Sequence, residues 1–335
     1  MAELTVAAGL ARGLLRFAAA KGANEAAMLK RAGIDPADLA DQDNRVPFES
    51  YVKLVRAGKE LANDPALPVH YGEMDDLAEI SVVGLIGQAS ETFMDALAQL
   101  NRYNGLVIEV DTGPASRFQV VREGSELLLR DNRTNPNDFP ELTESTFARM
   151  TCGGRRFTKT EIVKKIYVTH EAPAHRAEYE RVLKVPVVFA SEKNALVLDE
   201  IWLTHKMAIQ PRYVFGILSE HAERLLKNLQ ASKTTRGRVE SLLMPLLHTG
   251  DVSMDAIATT MAMSRQTLFR KLKAEGTTYE KILDDLRHQI ALHYLSGKKV
   301  SVNETAYLVG FSEAAAFSRA FKRWTGKSPR DARSA

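Results

Sequence analysis

The chain has 335 residues, with 45 Lys and Arg against 42 Asp and Glu for a formal net charge of +3, and it is 45% hydrophobic and 26% charged. That length excludes a single small domain, and one cysteine excludes an internal disulfide. No stretch is long and apolar enough to span a bilayer, and the start MAELTVAAGLARGLLRF lacks the basic opening and cleavage site of an export signal, so a cytoplasmic protein without a membrane partner is expected.

In chain order, residues 8–32 read as helix, with Leu10, Leu14, Leu15, Ala18, Met28 and Leu29 on an imperfect stripe. Helices are also expected over 48–62 and 92–103, the latter started by Ser90 or Glu91. The period then changes. Residues 106–110, 117–122 and 126–130 are short β-forming stretches separated by Gly, Pro and Asp, expected as antiparallel strands. A helix over 140–150, a strand over 162–169 and a strand-turn-strand over 185–198 follow. Helices over 213–229 and 236–247 lead out, with TTRG at 234–237 as the expected hinge. The fold class expected for residues 1–230 is α+β, followed by a linker and linking helix over 231–248 and an all-α domain over 249–335.

Cys152 lies in TCGGRRF, with His170, His175 and His205 further along. Two arginines beside a glycine-flanked thiol can lower its pKa, but no histidine stands at a spacing that makes a nucleophile pair or a metal site with it. A buried inert thiol is expected, with no catalytic residue, metal or cofactor.

The last third carries one pattern twice. The first copy reads SMDAIATTMAMSRQTLFRKLKAEG and the second SVNETAYLVGFSEAAAFSRAFKRWTGKSP. In the first, Ser253 can cap a helix whose stripe is Ile257, Ala258 and Met261. Ser264 can cap a second helix with Leu268 and Leu272 inside. Helices with facing stripes and so short a turn cross steeply, leaving the far side of the second in solvent. That side shows Gln266, Phe269, Arg270 and Lys273. Arg270 can fork onto a guanine edge and Gln266 onto an adenine edge, while Lys271 and Lys273 suit phosphates. In the second copy Ala306, Val309 and Phe311 precede a turn at Gly310, Ser312 opens the helix, and Phe317 and Phe321 face inward. Its outer face is poorer in polar groups: Ala314 and Ala315, then Ser318 and Arg319, then Lys322 and Arg323.

Basic residues on helical hairpins are often mere solvated surface. Their repetition and the charge distribution argue otherwise: from Ala231 on there are 17 Lys and Arg against 10 Asp and Glu, a net of +7, while the rest carries −4. An acidic body joined to a basic end is the distribution of a chain in which one domain meets a polyanion.

The segment from about Thr249 to Arg330 resembles the DNA-binding domain of AraC-type transcriptional regulators. GFSEAAAFSRAFKRWTGKSPRDAR places Gly310, Phe311, Phe317, Arg319, Phe321, Lys322, Gly326 and Pro329 where that signature has them. The resemblance implies two helix-turn-helix units joined by one long helix, here from about Tyr279 to Leu295. Their reading helices would stand about 34 Å apart, one turn of DNA. It further implies base contacts from Gln266, Phe269, Arg270, Ala315, Ser318 and Arg319. Phosphate contacts would come from Ser264, Lys271, Lys273, Ser312, Lys322 and Arg323. Many members carry polar side chains where this chain has Ala314 and Ala315, so the second unit is expected to rely more on DNA shape.

The amino-terminal region resembles the arabinose-binding-type domain of such regulators. RAGIDPADLADQDNRVPFESY, GLIGQASETFMDALAQLNRY and VPVVFASEKNALVLDEIWL carry that likeness. It implies a module that senses a small-molecule effector and dimerises, not that the effector is arabinose. Phe118, Arg130, Phe139, Arg149 and Tyr167, in or beside the expected strands, are the candidate ligand contacts. Each type is more often core or surface than ligand-binding.

The whole is expected to be a ligand-gated, DNA-binding transcriptional regulator on the chromosome. Its partners would be double-stranded DNA with two half-sites, an effector, a second copy of itself and RNA polymerase. The resemblance favours activation over repression. Two alternatives remain open: a regulator whose amino-terminal domain only dimerises, and a nucleoid-type protein that binds DNA without sequence preference.

Overall fold

A computed structural model describes residues 3–74, 76–158, 161–203, 206, 212–249, 252–296 and 300–334, with the backbone alone for 156–158, 212, 296 and 334. His205 lies outside the described residues. The chain forms two compact units, residues 1–226 and 227–335.

The first unit is α+β. Strand β1 (Thr5–Ala7) leads directly into α1 (Ala8–Ala20), whose Leu10, Leu14, Leu15 and Ala18 are buried. The expected single helical stretch is broken at Lys21 and Gly22, and α2 (Glu25–Ala32) starts afresh with the Asn24 side chain accepting from Ala27 N. Strand β2 (Arg45–Pro47) pairs antiparallel with β1 and runs into α3 (Phe48–Leu61). Four helices follow: α4 (Leu67–Met74), α5 (Leu77–Ile80), α6 (Val82–Gln88) and α7 (Phe93–Val107).

Helix α7 differs from expectation at both ends. Thr92, not Ser90 or Glu91, caps it by accepting from Asp95 N, because that hydroxyl stands three residues before the orphan amide. At its other end Leu106 and Val107 remain helical, and Ile108 makes a single bridge with Val6. No strand forms over 106–110.

A five-stranded sheet has the order β3-β4-β7-β5-β6, from β3 (Phe118–Glu123), β4 (Glu126–Asp131), β5 (Val163–Tyr167), β6 (Val187–Val188) and β7 (Ala195–Leu198). It is antiparallel except for β5 and β6, which run parallel, so α9 (Arg176–Leu183) crosses between them. Helix α8 (Pro140–Thr158) packs on α4. Strand alternation divides the side chains: Leu127, Leu129, Leu196 and Leu198 join Phe118 and Phe147 in the main core, whereas Leu128, Val197 and Tyr167 lie together on the other face. Helix α10 (Arg212–Ser232) follows the sheet.

The second unit is all-α beyond α10: α11 (Thr235–Leu243), α12 (Met254–Thr260), α13 (Arg265–Ala274), α14 (Tyr279–Ser296), α15 (Val302–Leu308), α16 (Ala314–Thr325) and α17 (Pro329–Ser334). The segment read as a hinge is the start of α11. Thr234 caps it, Thr235 N and Arg236 N donate to the Glu275 carboxylate, and Arg236 pairs with Glu240 and Asp285. No helix among the described residues is long and apolar enough to cross a membrane.

Candidate nucleic-acid interface and effector cavity

Helices α12 and α13 form because their ends are capped and their stripes are apolar. Ser253 Oγ accepts from Ala256 N at 3.2 Å, and Ser264 Oγ accepts from Thr267 N at 3.1 Å. Ile257, Ala258, Met261, Leu268 and Leu272 meet Val239, Leu243 and Leu247 in one core. With that side buried, Gln266, Phe269, Arg270, Lys271 and Lys273 are all exposed. None of the four polar side chains has an ion pair or hydrogen bond among the described residues, and Phe269, 50% exposed, stands beside them rather than in the core. Arg265 is different, pairing with Asp255 at 3.2 Å.

The second copy repeats the turn with an offset of 48 residues. Met263 N reaches the Ala258 carbonyl in the first, and Phe311 N reaches the Ala306 carbonyl in the second, with Ala262 and Gly310 at positive φ in between. Ser301 and Glu304 form a reciprocal capping box on α15. One expectation fails here. Ser312 does not open α16: the helix begins at Ala314 with Glu313 as its N-cap residue and no side-chain cap, because the Glu313 carbonyl is the first helical acceptor. Ser312, Ala315, Arg319, Lys322 and Arg323 are exposed, and the half-buried Ser318 donates its hydroxyl to the Ala314 carbonyl. Arg323 already pairs with Asp284 of α14 at 2.8 Å.

Helix α14 contributes Tyr279, Ile282 and Leu286 to the first core and Ala291 and Leu295 to the second. Arg287 ties the second turn to it, donating to the Val309 and Gly310 carbonyls at 3.0 and 3.2 Å with its guanidinium over the Phe311 ring. Burial lowers its pKa from the usual arginine range, against the opposing pull of the Asp284 carboxylate.

Within the first unit a cavity of about 250 Å³ opens between α6, α7, α8 and the inner sheet face. Its wall is mostly apolar, with Leu97, Leu100, Phe118 and Leu129 among the lining residues. The polar groups on it include Asp76, Gln88, Asn104, Arg117, Thr146 and Arg149. Of the expected ligand contacts, Phe118 and Arg149 are brought together here. Arg130, Phe139 and Tyr167 do not line it. Arg130 shares the outer sheet face with Tyr167 and pairs with Glu123, and Tyr167 donates to Glu126. Phe139 is buried edge-on against Phe48 and Tyr51.

Arg117 was not among those candidates. Its guanidinium meets Asp131 at 3.3 Å, and Arg133 meets the same carboxylate at 3.1 Å. Burial lowers the Arg133 pKa to about 10, which still leaves it charged at neutral pH. Cys152 is buried on α8 with its sulfur 3.7 Å from the Val182 carbonyl, while His170 and His175 pack around the Tyr179 ring. No group of three or more metal-ligating side chains is placed together among the described residues.

Residues 22–207 match the family described as the arabinose-binding domain of AraC transcription regulators, and residues 257–335 match a helix-turn-helix domain family. The ornithine utilization regulator of Pseudomonas aeruginosa is 27% identical over 100% of this chain and 97% of its own. The HTH-type transcriptional regulator VirS of Mycobacterium tuberculosis is 24% identical over 93% of this chain and 91% of its own. The HTH-type transcriptional activator RhaS of Escherichia coli is 40% identical over 84 residues, 25% of this chain and 30% of its own. Among solved structures, the transcriptional regulator CdpR from Pseudomonas aeruginosa aligns over 97% of both chains at 21% identity, with a TM-score of 0.41.

Proposed function

The chain belongs to the AraC family of transcription regulators, and we propose that it is an activator whose amino-terminal domain binds a small molecule and so sets how a dimer presents two basic domains to paired half-sites. Membership makes it a sequence-specific DNA-binding regulator and not an enzyme. In this reading residues 1–230 sense and dimerise, 231–248 link, and 249–335 bind DNA.

One observation carries the DNA-reading role: the outer face of α13, where Gln266, Arg270, Lys271 and Lys273 stand exposed and unpaired among the described residues beside Phe269. Arg270 takes a guanine edge, Gln266 an adenine edge and Phe269 a thymine methyl, with Ser264, Lys271 and Lys273 on phosphates. From α16, Ala315, Ser318 and Arg319 face bases, and Ser312, Lys322 and Arg323 face phosphates. Phe118, Arg117 and Arg149 contact the effector in the cavity. For the effector to gate binding, its affinity must differ between the two arrangements of the dimer. The similarity of a quarter of the chain to a protein named as an activator supports activation, exerted through RNA polymerase.

The test is selection of genomic fragments by the purified full-length protein at about 150 mM salt, near physiological ionic strength. A motif with two half-sites is expected. Smooth enrichment without a motif, with and without cell extract as an effector source, would replace this reading by non-specific DNA coating.

A further inference from the structure

A surplus of buried positive charge meets the cavity of the first unit at Arg117. Asp131 has no exposed side-chain surface and receives both Arg117 and Arg133, whose side chains are each 5% exposed. Two guanidinium charges therefore share one carboxylate. A buried charge without a counter-ion is costly, and an anion brought to it relieves that cost. The two other charged residues on the wall cancel in sign: Arg149, and Asp76, whose carboxylate is held by Gln88 Nε2 and Ala78 N. The surplus at Arg117 is left standing.

Arg117 also has donors to spare. A guanidinium carries five N–H groups. Nε is engaged by Asp131, Nη1 donates to Asn104 Oδ1 at 2.9 Å and Nη2 to Thr146 Oγ1 at 3.4 Å. Each Nη retains a second N–H without an acceptor among the described residues. That pair of nitrogens is the fork that grips a carboxylate with two hydrogen bonds.

The rest of the cavity suits a hydrocarbon. A polyol of equal size would leave hydroxyls unpaired against Leu97, Phe118 and Leu129, while Asn104 and Thr146 are committed to Arg117 and Gln88 to Asp76. A dry cavity of roughly 150 Å³ holds one benzene, so about 250 Å³ has room for about ten non-hydrogen atoms. We propose that the effector is a small amphipathic carboxylic acid, its carboxylate on Arg117 and its apolar body against Leu97, Phe118 and Leu129. This rests on the reading of the first unit as a sensing domain and adds the chemical class of what it senses.

Octanoate, 1-octanol and octylamine share a chain of the right size and differ in the head group. Each is titrated calorimetrically into the full-length protein, into Arg117→Met and into Ala96→Phe, which fills the cavity from the α7 side. Octanoate is expected to saturate one site per chain at least tenfold more tightly than the alcohol, with no binding of the amine. Arg117→Met should bring acid and alcohol level, and Ala96→Phe should abolish both. Because Arg117 also supports Asp131, the comparison of three ligands on the unaltered protein decides the matter even if that variant does not fold. Equal binding of acid and alcohol, preference for the amine, or binding of none of the three overturns the carboxylate. The sensing role is judged separately: reporter activation in cells that Ala96→Phe leaves unchanged would overturn it, whatever the titrations give.

Discussion

Ala262 and Gly310 hold equivalent positions in the two helix-turn-helix turns, with φ of 53° and 79°. An L-residue in that region loses about 1–2 kcal/mol to contact between its Cβ and the following carbonyl. Ala262→Gly is therefore expected to stabilise the first unit of the pair, by up to about 1 kcal/mol after the larger unfolded-state freedom of glycine is subtracted. At Gly310 the reverse change is worse, since a Cβ there would also run into the Leu247 carbonyl oxygen. Gly310→Ala should cost roughly 2–4 kcal/mol from the two effects together. Chemical denaturation of both variants checks the pair, and equal effects of opposite sign would mean that the Leu247 contact yields. On the reading face, Arg270→Ala should cost about 1–3 kcal/mol on a cognate site and little on random DNA. Phe269→Ala should change folding stability by less than about 1 kcal/mol, since a ring that is 50% exposed lacks the environment in which a core aromatic is worth roughly 3–5. A larger loss would place that ring in the core and remove it from the interface.

At the level of elements, α14 does more than space the two units. Its Asp284 occupies Arg323 of α16, a residue otherwise available to a phosphate. Asp284→Asn should free that charge, tighten binding to cognate and random DNA alike, and steepen the dependence of log affinity on log salt by about 0.9. An unchanged slope would show that Arg323 points away from the backbone. In the first unit, α8 and α9 are joined by the Tyr179 hydroxyl, which donates to Glu144. Burial raises the Glu144 pKa from 4.5 to about 7. Because the folded-state value lies above the unfolded one, this group contributes stability that is present below about 4.5 and lost as pH rises through about 7. Glu144→Gln should flatten the pH dependence of the first unit's melting temperature across that window, and an unaltered slope would assign it to other groups.

The same elements show what a sequence can and cannot disclose. Helices α12, α13 and α15 were legible because their signals are local: Ser253 and Ser264 cap the first two, and Ile257, Leu268 and Ala306 lie on stripes of helical period. Strands β1 and β2 were not, being three residues each and paired across about forty residues of intervening chain. Residues 106–110 misled for a related reason, since Leu106 and Val107 are as compatible with the buried end of a helix as with a strand. Phe118 and Arg149 could be suspected from their neighbourhood in the sequence. The Arg117, Asp131 and Arg133 group could not, because only the antiparallel pairing of β3 with β4 brings residue 118 opposite residue 131.

On the scale of the molecule, the charge division at Ala231 and the boundary between compact units at Leu226 fall close together. The second unit retains both helix-turn-helix cores, the connector and the Thr234 cap. A fragment of residues 227–335 should therefore fold and read the same half-site as the full chain. Joining two binding modules raises apparent affinity about 10²–10⁴-fold where the geometry allows both to engage. If the first unit dimerises the protein, the full chain should exceed the fragment by that factor on a two-half-site fragment and by little on a single half-site. Its salt slope on the paired site should be about twice as steep, since twice as many phosphates are neutralised. Filter binding across salt with both DNAs measures this directly. Equal affinities and slopes for fragment and full chain would remove dimerisation from the mechanism, leaving an effector in the first unit to act on a single DNA-binding domain within its own chain.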